Sequence, residues 1–127
     1  MKTTEIGAIG EALAAEYLKN KGFSIVARNF RTRHLEMDLI CENETHLLFV
    51  EVKTRTDTGA VSKYGRPAAA VDAKKRQHLT DAAMDYLRMN PTSKKPRIDV
   101  LEVYLIRKGA LVTLSPRGIK HIENALI

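Results

Sequence analysis

The sequence predicts an α/β fold in the order α-β-β-β-α-β-β-α, and three observations predict it. Two stretches carry apolar residues at helical spacing, several others alternate or concentrate β-branched and aliphatic residues, and the 127-residue chain has an ordinary 44% apolar content, enough for one core. That length fits a single domain spanning residues 1–127.

From Thr4 to Lys21, Ile6, Ile9, Leu13, Tyr17 and Leu18 recur at helical spacing, with Thr4 placed to cap the start and Gly22 to stop the helix. Phe23 to Phe30 reads as a strand that ends in the basic turn Arg28-Asn29-Phe30-Arg31-Thr32-Arg33-His34. Two strands joined through Glu42 to Thr45 follow. In Leu35–Cys41, period-two alternation sets Leu35, Met37, Leu39 and Cys41 on one face and Glu36, Asp38 and Ile40 on the other. In His46–Thr54 it sets Leu48, Val50 and Val52 against Leu47, Phe49, Glu51 and Lys53.

Thr54 to Arg66 lacks apolar periodicity and holds Gly59, Ser62 and Gly65, which predicts a mobile loop with Tyr64 as its aromatic residue. Pro67 to Val71 predicts a turn of helix. Asp72 then caps a longer one to Met89, with Val71, Lys75, Leu79, Ala82, Ala83 and Tyr86 along its inner stripe. Asn90 to Pro96 is a linker. Arg97–Ile106 and Ala110–Leu114 are strands around a Lys108-Gly109 turn, and Ile119–Leu126 is a terminal helix.

Charge is unevenly placed. Of a net +6, residues 1–50 contribute −1, residues 51–97 contribute +6 and residues 98–127 contribute +1. Such a basic middle suits an anionic partner, although a solvated lysine-rich surface explains it equally well on charge alone. No apolar run reaches the roughly 18 residues a membrane-spanning helix needs, and the lack of Trp speaks against an interfacial helix, so no membrane partner is expected. Met1 to Gly10 offers acid and glycine where a signal sequence needs a basic then apolar run, so the expectation is a cytoplasmic protein. The lone Cys41 can form neither an internal disulfide nor a Cys-based zinc site. No histidine pair among His46, His78 and His121 has zinc-ligand spacing, and none is assigned a role.

The chemistry concentrates at Glu51-Val52-Lys53, which continues the apolar Leu47–Val50 without a break. Burying either charge costs several kcal/mol unless it is paired, metal-bound or kept wet. Asp38 poses the same problem one strand earlier. Pairing Leu39 and Ile40 with Leu47 and Leu48 would bring it beside the Phe49–Glu51 stretch, so that three charged groups converge. Two close carboxylates are relieved by an oxygen-ligated Mg²⁺ or Mn²⁺, and a neighbouring lysine can orient water or offset charge on a phosphoryl oxygen. From spacing, metal-dependent phosphodiester chemistry and a plain Lys53 ion pair stand level.

Asp38 followed after twelve residues by Glu51-Val52-Lys53 resembles the PD-(D/E)XK nuclease signature. The likeness spans nearly the whole chain and is closest to the YraN-like proteins of bacteria. It is carried by Gly10-Glu11, Ala14, Tyr17-Leu18, Arg28-Asn29, Glu36-Met37-Asp38-Leu39-Ile40, Phe49-Val50-Glu51-Val52-Lys53, Lys75, Leu79, Arg97-Ile98-Asp99-Val100 and Asn124-Ala125. The resemblance implies a restriction-endonuclease-like fold, a mixed sheet flanked by helices, similar to archaeal Holliday-junction resolvases. It implies Glu11, Asp38 and Glu51 as ligands of Mg or Mn, Lys53 as the water-orienting or phosphate-contacting lysine, and Glu36 as a neighbouring catalytic-site acid. The family usually has glycine before the acidic pair, where this chain has His34-Leu35, which opens the phosphate to His34.

The expected function is therefore a metal-dependent nuclease on structured or single-stranded DNA. The alternatives are a nucleic-acid-binding protein of the same fold that does not cleave, and a protein-interaction adaptor. Arg33, Arg55, Lys63, Arg66, Lys74, Lys75 and Arg76 are the expected phosphate contacts and Tyr64 the base-stacking residue; Lys75 also falls on the helix's inner stripe. A homodimer is left open.

Overall fold

The computed structural model of the chain describes residues 3–33, 35–57 and 73–125, with side chains from Glu5 onward. Helix α1 (Thr3–Asn20) is followed by β1 (Ser24–Thr32), β2 (Leu35–Glu42) and β3 (His46–Thr56), then α2 (Ala73–Met89), β4 (Lys95–Lys108) and β5 (Leu111–Ile122). The strands form one mixed sheet in the order β1-β2-β3-β4-β5, antiparallel at every pair except β3 and β4, which are parallel with α2 between them in sequence. His34, the Pro67–Val71 turn and the Asp72 cap lie outside the described residues.

Each helix covers one sheet face. Ala14, Ala15 and Leu18 of α1 bury against Leu39, Cys41, Leu48, Val50, Leu101, Val103 and Leu105. Leu79, Ala82, Ala83 and Tyr86 of α2 bury against Met37, Ile40, Leu47, Phe49, Ile98 and Val100. The predicted stripes thus face inward, and each fully buried aliphatic side chain is worth about 1.5–3 kcal/mol. At the end of α1, Phe23 N–H donates to Leu18 C=O (3.0 Å) and Gly22 N–H to Lys19 C=O (3.0 Å), with Gly22 at φ 94°. This is a Schellman stop that needs the glycine.

Alternation holds along β3, but not along β2. Leu35 and Met37 pack with Ile40 on the α2 side while Leu39 and Cys41 pack on the α1 side, so the pleat changes phase at Asp38. The pairing register differs too: Leu39 pairs with Val50 and Ile40 with Phe49, two residues beyond the expected Leu47–Leu48 pairing, because Glu42 is already matched with Leu47. Asn43 Oδ1 makes that short turn possible by accepting from Thr45 N–H (2.9 Å) and His46 N–H (2.8 Å).

The predicted terminal helix is absent. Ile119–Ile122 continue β5, pairing with β4 from Ile119↔Val103 to Ile122↔Val100, and the chain then turns through Glu123–Ala125. Between Leu114↔Leu105 and Ile119↔Val103, residues 115–118 stand opposite Tyr104 alone. Pro116 and Gly118 (φ 70°) fit this bulge on an edge strand, where a missing N–H breaks no inner ladder. Likewise Thr54–Thr56 belong to β3 rather than to a loop.

Candidate functional site

The end of the sheet formed by the C-termini of β1 and β3 and the start of β2 gathers the predicted acids. Glu51 follows Leu47 and Phe49 on the α2 side by alternation and is 6% exposed. Its Oε1 receives two ammonium groups, Lys75 Nζ at 3.1 Å from α2 and Lys53 Nζ at 3.4 Å from two residues along its own strand. A lone buried carboxylate would cost several kcal/mol; two cations offset that cost. Both the metal-site and the ion-pair readings of Glu51-Val52-Lys53 contain such a contact.

Asp38 sits where the ladder between β2 and β3 ends. Leu39↔Val50 is the last matched pair, and beyond it Asp38 Oδ2 accepts from the Val52 N–H at 2.7 Å. A side chain has replaced a strand's carbonyl, and the two strands part around it. Burial pushes the Asp38 carboxyl up to about 7, and the charges of Glu51, Glu11 and Glu36 add to the effect against the Val52 hydrogen bond.

Glu11 arrives from α1. Gly10 lets it come close: a Cβ at position 10 would lie 2.0 Å from Thr54 Oγ1 and 3.0 Å from Thr54 Cβ, so the helix can cross β3 here only without a side chain. The Glu11 carboxyl is raised by burial and by Glu36, against a hydrogen bond with Asp38 and the pull of Arg28. Glu36 is more exposed and lies 3.8 Å from Arg31 Nη2. Asn29, to which sequence reasoning gave no role, joins the group. Its amide nitrogen reaches Glu11 Oε1 at 3.3 Å and Glu36 Oε1 at 3.2 Å, the orientation that its hydrogen-bond partners select.

Glu11, Glu36, Asp38, Glu51 and Lys53 therefore lie in one neighbourhood. Among the described residues, no three His, Cys, Asp or Glu side chains stand ready around a common point as a metal cage does. Glu51 is instead turned onto the two lysines.

The expected phosphate contacts divide. Lys74 and Arg76 are exposed at the start of α2, and Lys75 is tied to Glu51. Arg33 is 70% exposed, with its Nε 3.9 Å from Asp85 Oδ2. Arg55 Nε donates at 3.1 Å to Glu102 Oε2, a carboxylate with a 2% exposed side chain that also accepts from Tyr104 Oη at 2.8 Å. Lys63, Tyr64 and Arg66 lie outside the described residues.

His121, given no role from sequence, is part of a separate buried network. Its Nε2 is 2.7 Å from Asp99 Oδ2 and its Nδ1 3.2 Å from Tyr17 Oη, while Arg97 and the Asn124 N–H also reach Asp99. Burial works against the Asp99 charge, but His121, Arg97 and Asn124 together outweigh it and hold the carboxyl below its usual range. This network pins the chain after β5 to the sheet. Helix α2 is fixed similarly, through buried Asp85, which accepts from Thr32 Oγ1 at 3.0 Å and pairs with Arg88.

No helix among the described residues is long and apolar enough to cross a membrane. The model of a family described as "Uncharacterised protein family UPF0102" matches residues 10–103, from the glycine at Thr54 into β4. A UPF0102 protein of Syntrophomonas wolfei is 47% identical over 95% of this chain and 96% of its own length. One from Alkaliphilus oremlandii is 43% identical over 95% and 97%, and one from Clostridioides difficile 37% over 98% and 99%.

Proposed function

The chain belongs to the UPF0102 family, the YraN-like family its motifs resemble, and from that premise we propose that it is a metal-dependent nuclease of the PD-(D/E)XK kind acting on DNA. The observation that carries this reading is the gathering of Glu11, Asp38 and Glu51 at the parted strands beside Lys53, where burial first and the neighbouring carboxylates second push the Asp38 carboxyl up to about 7. Like charges held together by a fold are what a divalent cation relieves, and an all-oxygen donor set suits Mg²⁺ or Mn²⁺. Glu11, Asp38 and Glu51 would hold it, with Glu51 yielding part of its contact with Lys75.

When bound, the ion would supply Lewis-acid stabilisation of the phosphoryl oxygens and a more acidic water. The chain's own groups do the rest. The Val52 N–H holds Asp38, the close crossing of α1 over β3 at Gly10 carries Glu11 toward it, and Glu51 would turn from its lysines to complete the set. Lys53 offsets charge that grows on phosphate as water attacks phosphorus and one P–O ester bond breaks. Lys74 and Arg76 supply cations to the flanking backbone.

The turn of Glu51 onto two lysines favours a second reading, a nucleic-acid-binding protein of this fold that does not cleave. One experiment decides: plasmid, single-stranded and four-way-junction DNA incubated with Mn²⁺ or with EDTA. Nuclease function requires Mn²⁺-dependent products that disappear with Asp38→Asn and with Lys53→Ala. Binding without products from any substrate overturns it in favour of the second reading.

A further inference from the structure

We propose that Asn29 is a positioning residue, an amide clamp that ties the helix carboxylate Glu11 to the strand carboxylate Glu36 and so sets where both stand relative to Asp38. The inference deepens the reading of this cluster as a nuclease site and rests on it for its purpose.

Three observations converge. Asn29 lies within β1 yet has φ 49°, a left-handed conformation that only asparagine, aspartate and glycine adopt readily. The register places it across from Asp38, between Arg28↔Leu39 and Phe30↔Met37. Both strands change pleat phase there: Ala27 and Phe30, three apart, pack on the α2 side, as do Ile40 and Met37, also three apart. The twist in β1 is thus matched to the one in β2 that frees Asp38. The amide it presents then reaches Glu11 Oε1 at 3.3 Å and Glu36 Oε1 at 3.2 Å. An NH₂ group has two donors and no charge, which suits it to bridge two anions without taking up the position of a cation.

Aspartate tolerates the same backbone and has the same shape, but it replaces the two donors with a fifth carboxylate beside Glu11, Glu36, Asp38 and Glu51. Folding is measured by urea titration at pH 8 in EDTA. Asn29→Asp should lower the folding constant about tenfold, and by under threefold in a Glu11→Ala/Glu36→Ala background, because the partners it repels are gone. Equal cost in both backgrounds overturns the clamp. Asn29→Gly keeps the φ angle without strain and should leave the chain folded, yet weaken Mn²⁺ binding about tenfold, as loss of a ligand-orienting partner does. Unchanged Mn²⁺ affinity in that variant overturns the positioning role. Should the unaltered chain bind no Mn²⁺, the nuclease reading fails and the positioning role with it, while the two-background comparison still decides whether the clamp exists.

Discussion

Asp38 and Val52 meet through a side chain instead of a ladder: Oδ2 of Asp38 takes the Val52 N–H at 2.7 Å, one step beyond the last matched pair of β2 and β3. This contact holds a carboxylate at the point where the strands part. It also forces that carboxylate toward Glu51 and Glu11, and the charge crowding has thermodynamic consequences.

The first is a pH dependence of unusual sign for an aspartate. The Asp38 carboxyl rises from 3.8 to about 7 on folding, chiefly by burial and then by Glu51. Between these pH values the folded chain keeps a proton that the unfolded chain has lost, so stability falls as pH rises and stays lower above about 7. Asn in place of Asp38 retains the acceptor for Val52 and loses the charge. In EDTA, Asp38→Asn should melt several degrees higher than the unaltered chain at pH 8, with the difference vanishing near pH 4. Equal melting temperatures across the range would mean that folding does not raise the Asp38 carboxyl.

A divalent cation should reverse that penalty. Saturation with Mn²⁺ at about a hundredfold excess over Kd should add about 2.7 kcal/mol, because the ligands converge only in the folded chain. Asp38→Asn and Glu51→Gln should each remove most of the gain, measured as the Mn²⁺-dependent shift in Tm. An unaltered chain that melts at the same temperature with and without Mn²⁺ would favour the ion-pair reading of Glu51 and Lys53.

The buried Glu51 was legible in the sequence because a strand running from Leu47 to Val50 straight into a glutamate must pair that charge, bind it to a metal or keep it wet. Asp38 and Lys53 were found by the same argument. What alternation could not foresee was its own interruption: a phase change at Asp38 and Asn29 depends on both strands at once, and a single-strand pattern does not contain it. Nor could spacing show that Arg55, basic and next to the triplet, is held by Glu102 from β4, since that neighbour is set by the parallel register. Ile119–Ile122 read as helix for a related reason. Pro116 and Gly118 look like breakers between elements, and only the pairing with Val100–Val103 shows that they make a bulge within one strand.

Gly10 carries a prediction of its own. A methyl group there would sit 2.0 Å from Thr54 Oγ1, so Gly10→Ala must push α1 away from β3. The expected cost is about 1–3 kcal/mol of stability by urea titration, typical of overpacking. Mn²⁺ affinity should fall as well, because Glu11 moves with the helix. Thr54→Ala removes the nearest atom and should restore part of both losses; a Gly10→Ala chain as stable as the original would show that the helix has slack.

Contact with DNA should be separable from cleavage. Lys74 and Arg76 are exposed at the start of α2, next in sequence to the Lys75 that reaches Glu51, which makes them the proposed first contacts of a strand entering the site. If each neutralises one phosphate, Lys74→Ala with Arg76→Ala should flatten the log-log salt dependence of duplex binding by about 2, at roughly 0.9 per contact. Arg55 is a poor probe of the same question: removing it strips buried Glu102 of its cation, and the resulting loss of stability, up to about 3–5 kcal/mol, would confound any change in affinity. Lys53→Ala should show the opposite pattern to the α2 pair. Its proposed work lies in the transition state, so affinity and salt slope should stay close to those of the unaltered chain while cleavage drops by at least tenfold, or about 1.4 kcal/mol of barrier. A slope unchanged by the α2 double substitution would make those cations a solvated surface and move the DNA path to another face of the sheet.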